Sequence, residues 1–114
     1  MYGYASKSLR IDLSAGKAEI FDTPVDLIED YIGGRGMGVA LLGKRITQNY
    51  DSAEMPLIFA SGPLVATDAP TSGRSSVISR SPLTNTIFDC SVGGRFGTEL
   101  KRAGFDFIEI TGKA

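Results

Sequence analysis

Over 8–13 apolar and polar residues alternate, with Leu9, Ile11 and Leu13 on one face of an extended chain. Ser14-Ala15-Gly16-Lys17 has turn chemistry, and Ala18, Ile20 and Phe21 resume the alternation, so this segment predicts a β-hairpin. The period then lengthens. Val25, Ile28 and Ile32 recur at helical spacing, with Leu27 and Tyr31 beside the same stripe. Thr23-Pro24-Val25-Asp26 reads as the helix start. Thr23 is expected to cap the free N–H groups, Pro24 suits the first helical position, and Asp26 favours the positive end of the dipole. Gly33-Gly34 is expected to end this helix. A second helix is predicted over 37–46, presenting Val39, Leu42 and Ile46 to a core.

The strand period returns afterwards. The run 57–60 reads as a buried strand before Gly62-Pro63. The run 74–80 alternates again, with Val77 and Ile78 on opposite faces, and 86–92 predicts a further strand that Gly93-Gly94 breaks. A short helix is expected over 98–103 with Gly104 as its cap. The segment 105–110 has apolar residues on both faces, as an internal strand should. Strands, two helices, strands, a helix and a strand do not alternate strictly, so the expected class is α+β rather than a doubly wound sheet.

Composition narrows the function classes. The 114 residues suit a single domain over 1–114, large enough to bury a core without disulfides. The formal net charge of -1 gives no basic excess for a nucleic-acid partner. The start lacks the apolar stretch of a signal peptide. The apolar run around 56–66 is broken by Ser61-Gly62-Pro63, where a membrane helix needs roughly 20 residues. With one cysteine, Cys90, there is no internal disulfide, which suits a reducing cytoplasm. Histidine is absent, which removes the commonest general base and metal ligand.

The candidate sites are glycine- and arginine-rich. Gly34-Arg35-Gly36-Met37-Gly38 mimics a dinucleotide fingerprint, but a helix precedes it where a strand is required, so it is expected to form a tight helix–helix corner. Gly93-Gly94-Arg95-Phe96-Gly97 follows a strand and opens a helix, where exposed N–H groups attract anions; its glycines could equally serve close packing. Arg74 enters a strand after the small residues Thr71, Ser72 and Gly73, so it could be held towards a ligand or simply be solvated. Cys90 is expected to act as a small hydrophobe in a strand, Asp89 as a solvated carboxylate, and Tyr2 and Tyr4 as packing residues or a frayed end. No pair of carboxylates has spacing that demands acid–base chemistry.

Several ordered clusters together resemble the amino-terminal domain of the tungsten-containing aldehyde:ferredoxin oxidoreductase family. These are Gly33-Gly34-Arg35-Gly36, Ser61-Gly62-Pro63-Leu64, Ala69-Pro70-Thr71, Gly73-Arg74, Ser81-Pro82-Leu83-Thr84, Gly93-Gly94, Phe96-Gly97, Ala103-Gly104-Phe105-Asp106 and Gly112-Lys113-Ala114. The opening Met1-Tyr2-Gly3 and the Leu9 to Gly16 hairpin match its start. The resemblance implies a β-rich α+β half-domain, one of two similar halves, on which a tungsten- or molybdenum-bis-pterin cofactor lies. It assigns Arg74 to the pterin phosphates, the backbone carbonyl of Ser91 to a magnesium ion bridging those phosphates, and Gly93 to the pterin. Gly94 completes the turn facing the same ligand. The family's asparagine-type position is Ser91 here.

By the same resemblance, the whole enzyme would oxidise aldehydes to carboxylic acids and pass electrons to ferredoxin. Its iron–sulfur cluster would use cysteines outside this chain, so the chain alone is expected to be inactive and to bind no cluster. A benzoyl-CoA reductase-like role, or a non-catalytic phosphate- or pterin-binding or assembly module, are the alternatives. The chain is expected to be part of a longer protein, and uncovered sheet edges lead to the expectation of a homodimer when it is isolated.

Overall fold

The computed structural model describes residues 3–44, 49 and 51–113. The alternating runs form one six-stranded sheet, ordered β2-β1-β6-β3-β4-β5. The strands are β1 (Lys7–Asp12), β2 (Lys17–Asp22), β3 (Leu57–Ser61), β4 (Ser75–Arg80), β5 (Ile87–Val92) and β6 (Phe107–Thr111). The helices are α1 (Val25–Asp30), α2 (Gly34–Gly43) and α3 (Phe96–Arg102). All neighbours pair antiparallel except β1 and β6, which are parallel. The α+β expectation holds, and β6 lies in the interior of the sheet between β1 and β3 as its two-sided apolar pattern requires.

The register assigns every strand residue to a face. One face carries Ile58, Ala60, Ile78 and Phe107, all fully buried, and α1 and α2 cover it with Leu27, Ile28, Met37 and Leu42. The other face is covered only in part, by α3, whose Phe96 ring lies 5.2 Å from that of Phe59. Two apolar rows cross this second face: Ile20, Leu9, Ile108, Phe59, Val77 and Cys90, then Ala18, Ile11, Ile110, Leu57, Ser79 and Phe88. Ile20, Leu57 and Phe88 in these rows are exposed. Leu9, Ile11 and Leu13 do share a face, but it is this open one. The covered side of β1 is polar, with Ser8 buried and Arg10 reaching the buried Glu109 at 3.4 Å.

Several local expectations are corrected. Thr23 does not cap α1: Pro24 stands at the N-cap with no side-chain hydrogen bond. Thr23 is buried and its hydroxyl donates to Asp106 Oδ2 at 2.9 Å, while the Ser8 hydroxyl donates to Thr23 Oγ1 at 2.7 Å. A buried carboxylate outcompetes solvent-facing amides for that hydroxyl. Val25 and Ile32 are exposed, and Leu27 and Ile28 form the buried stripe of α1. Gly33 starts α2 rather than ending α1. It takes φ +53°, and a Cβ there would lie 2.9 Å from the Ser61 carbonyl oxygen. The glycine-rich run does make the helix–helix corner, with α2 already begun inside it. The expected helix end and Ile46, together with Met1, Tyr2 and Ala114, lie outside the described residues.

Asp106 ties the amino-terminal segment to the sheet. Its carboxylate is fully buried and accepts from the Ala5 and Ser6 amides, the Thr23 hydroxyl and the Lys101 ammonium at 2.8 to 2.9 Å. Tyr4 packs here as expected: Lys101 Nζ stands 5.5 Å from its ring, and its hydroxyl donates to the Tyr31 carbonyl. Burial, then the charge of Asp106, pushes its hydroxyl pKa upward.

Candidate functional site

β4 begins at Ser75 and β5 ends at Val92, and these two residues are paired. Arg74 and Gly93 are therefore the next residues outward on adjacent strands. The register joins two sequence clusters that the chain keeps well apart. Gly97 makes this approach possible: a Cβ there would lie 3.0 Å from Ser75 Cβ and 3.3 Å from the Gly73 carbonyl oxygen. Crowding explains that glycine, whereas a Cβ on Gly73 would make only ordinary contact, 3.6 Å from the Gly94 carbonyl oxygen.

Crowding does not explain Gly93 and Gly94. A Cβ on either would meet nothing within 4 Å, so their backbone faces open space. Gly94 takes φ +86°, which a side chain would strain, and this conformation carries the chain from β5 towards α3. Arg74 is exposed and makes no hydrogen bond or ion pair among the described residues. A guanidinium that needs no internal partner, beside a bare backbone turn, suits an anion: the fork and the N–H groups both match phosphate oxygens. Ser75, between Arg74 and the turn's partner strand, is buried, and its Oγ has no hydrogen-bond partner. Ser91 is exposed on the edge strand β5, and its carbonyl oxygen lies 3.8 Å from Cys90 Sγ.

The predicted residues Arg74, Ser91, Gly93 and Gly94 thus fall at one end of the β4–β5 pair. Cys90 is exposed rather than packed as a hydrophobe, because β5 is an edge strand whose outer face nothing covers here. Asp89 is not free in solvent: its Oδ2 lies 2.6 Å from Arg35 Nε, on the first turn of α2. Sequence spacing gives no signal for that pair. Arg95 points away into solvent and lies 3.9 Å from Glu99.

The site is an open turn, not an enclosed cavity. Among the described residues, two clefts elsewhere are lined by Gly3, Tyr4, Pro63, Val65 and Lys101, and by Lys7, Asp22, Val25 and Ile28. Among the described residues no group of three or more His, Cys, Asp or Glu side chains stands ready to hold a metal.

Comparison with known proteins identifies the family and the fold. Residues 8–114 match the family model described as aldehyde ferredoxin oxidoreductase, N-terminal domain. The chain is 47% identical over 118 residues to the tungsten-containing aldehyde ferredoxin oxidoreductase of Pyrococcus horikoshii, and 42% identical over 116 residues to that of Pyrococcus furiosus. In both cases the match covers 100% of this chain and 19% of the relative, so the chain spans about a fifth of their length. Among solved structures it superposes with a TM-score of 0.95 and 35% identity on the active site complex BamBC of benzoyl coenzyme A reductase in complex with 1,5-dienoyl-CoA, covering 99% of this chain and 18% of that one.

Proposed function

Because the chain belongs to the aldehyde ferredoxin oxidoreductase family, we propose that it holds the phosphate end of a pterin cofactor within a tungsten- or molybdenum-dependent oxidoreductase. The observation that carries this reading is Arg74, without an internal partner among the described residues, one residue beyond the Ser75–Val92 end of the ladder, where the Gly93-Gly94 turn also begins and faces open space. Arg74 forks onto phosphate oxygens, and the turn offers N–H groups at the same place. The Ser91 backbone carbonyl would offer an oxygen ligand to a magnesium ion held together with those phosphates. A backbone oxygen serves there whatever the side chain, so serine in place of asparagine keeps that role.

When bound, the pterin-held metal supplies the redox change that turns an aldehyde into a carboxylic acid. An iron–sulfur cluster that would relay electrons to ferredoxin would take its ligands from outside this chain, whose single cysteine cannot supply the usual four thiolates. This chain's part in that chemistry is to bind and orient the phosphate end of the cofactor. A second reading is a benzoyl-CoA reductase-like role, favoured by the close superposition on that enzyme's active site complex. The third is a non-catalytic pterin- or phosphate-binding module. The exposed thiol suits a reducing cytoplasm, and no helix among the described residues is long and apolar enough to cross a membrane. For the isolated chain the open apolar face favours a homodimer, since two copies would cover each other's rows.

The test is Arg74→Ala in the full-length protein. Tungsten or molybdenum and pterin content are expected to fall while the melting temperature of the cofactor-free protein stays unchanged. Undiminished pterin content would overturn the assignment. Turnover of aldehydes against a dienoyl-CoA separates the first two readings.

A further inference from the structure

The six-stranded sheet has two free edges, β2 and β5, and they differ in chemistry. A free edge offers unpaired N–H and C=O groups, and charged side chains along it keep other strands away. β2 carries Lys17, Glu19 and Asp22, all exposed. β5 reads Ile87-Phe88-Asp89-Cys90-Ser91-Val92, with one charge. That charge is already taken up. Gly38 lies so close over the buried Ile78 of β4 that a Cβ would stand 2.8 Å from Ile78 Cγ1, which brings the first turn of α2 near β5. Arg35 leaves that turn, and its Nε lies 2.6 Å from Asp89 Oδ2.

The ladder fixes which backbone groups face the free edge. The Ser81 amide donates to the Thr86 carbonyl, so these two form a hydrogen-bonded pair. Such pairs alternate along an antiparallel ladder. In the β4–β5 register the next ones are Ser79 with Phe88, Val77 with Cys90 and Ser75 with Val92. Ile87, Asp89 and Ser91 therefore turn their N–H and C=O groups away from β4. A second copy could meet them antiparallel in three two-fold registers. Centred on Asp89, two carboxylates stand directly opposite, which is destabilising. Centred on Phe88, the strands overlap only over 87–89 and set Ile87 against Asp89. Centred on Cys90, they overlap over 88–92. Asp89 then faces a Ser91 hydroxyl and Phe88 faces Val92, a favourable aromatic and β-branched pair.

We infer that β5 is a self-pairing edge, to which a second copy of this chain adds antiparallel about a two-fold axis at Cys90. The Asp89 and Ser91 amides and carbonyls are exchanged between the copies. The two Cys90 residues form a non-hydrogen-bonded pair, with Cα atoms about 4.5 Å apart. A disulfide spans about 4.4–6.8 Å between Cα atoms, so the pair can be cross-linked. This inference rests on the self-association proposed above and names its seam. Phe88, Cys90 and Val92 are the margin of the open face, and along the seam Phe88 of one copy covers Val92 of the other. The Ser91 carbonyl that would meet magnesium lies on this edge, so self-pairing belongs to the chain without cofactor.

The test treats the 114-residue chain with a diazene oxidant. Two thiols give up two protons and two electrons to the N=N bond, which becomes a hydrazine, and one S–S bond forms. Wild type is expected to give a disulfide-linked dimer on a non-reducing gel. Phe88→Cys in a Cys90→Ser background carries an equally marginal thiol that faces Val92 rather than its mate, and should link far more slowly. Ser91→Pro deletes an edge-facing amide without touching the β4 ladder. It removes two hydrogen bonds from the symmetric pair and should raise the dimer dissociation constant about ten- to hundredfold in sedimentation. An unchanged constant overturns the inference, as does a Phe88→Cys thiol that links as fast as Cys90. If Ser91→Pro does not fold, the cross-linking comparison decides alone. A dimer in sedimentation that oxidant cannot link at Cys90 sinks the seam and leaves the association standing. A wild-type monomer at tens of micromolar sinks both.

Discussion

Asp106→Ala should be among the most damaging single changes in the fold. The carboxylate has no solvent exposure and accepts four hydrogen bonds, from Ala5 N, Ser6 N, Thr23 Oγ1 and Lys101 Nζ. Its removal takes the counter-charge from a Lys101 ammonium whose side chain is only 9% exposed, leaving it the Gly3 carbonyl oxygen at 3.2 Å. It also strands two amides and a hydroxyl. Breaking a buried pair from one side costs about 3–5 kcal/mol, a large part of the roughly 5–15 kcal/mol that holds a domain together. With a urea m-value of about 2 kcal/mol/M, the unfolding midpoint should drop by about 2 M. The converse variant, Lys101→Met, leaves Asp106 with three donors, so it should cost less, about 1–3 kcal/mol. Urea unfolding of both variants, followed by circular dichroism, gives the two midpoints. A loss below about 1 kcal/mol for Asp106→Ala, or a larger loss for Lys101→Met, would refute the view that the carboxylate is the hub and the lysine one of its spokes.

Gly38→Ala should destabilise by about 1–3 kcal/mol through overpacking against Ile78, despite alanine's better helix propensity; in an Ile78→Ala background, which removes both Cγ1 and the terminal methyl, Gly38→Ala should cost little further in the same unfolding assay. Tyr4 should ionise above the ordinary value of 10.0, because burial and then Asp106 raise it. A raised folded value means that stability is unaffected below the unfolded tyrosine pKa and falls as pH climbs through the folded one. Ultraviolet titration should show one late tyrosine that is lost in Tyr4→Phe and moves down in Asp106→Asn. The isolated chain should sediment as a concentration-dependent dimer and shift towards monomer in Phe88→Lys; a clean monomer at tens of micromolar would refute the pairing of the open face.

The sequence alone determined the elements. Strand and helix periods, with Gly and Pro as punctuation, located all nine elements seen among the described residues, because these signals depend on local backbone chemistry. The motif clusters around Arg74 and Gly93-Gly94 were legible for the same reason, and so was the family they resemble. Three things were decided only in three dimensions. Alternation in β1 marked an apolar face but could not say that the helices cover the opposite one, since burial depends on where α1 and α2 dock. Thr23 looked like a cap by position, yet a buried carboxylate far along the chain claims its hydroxyl. Arg35 and Asp89 looked like a turn residue and a solvated acid, and only the packing of Gly38 on Ile78 brings α2 close enough to β5 to join them. Local energetics choose an element's type; which residues meet across elements follows from register and close packing, and neither is encoded within one stretch of chain.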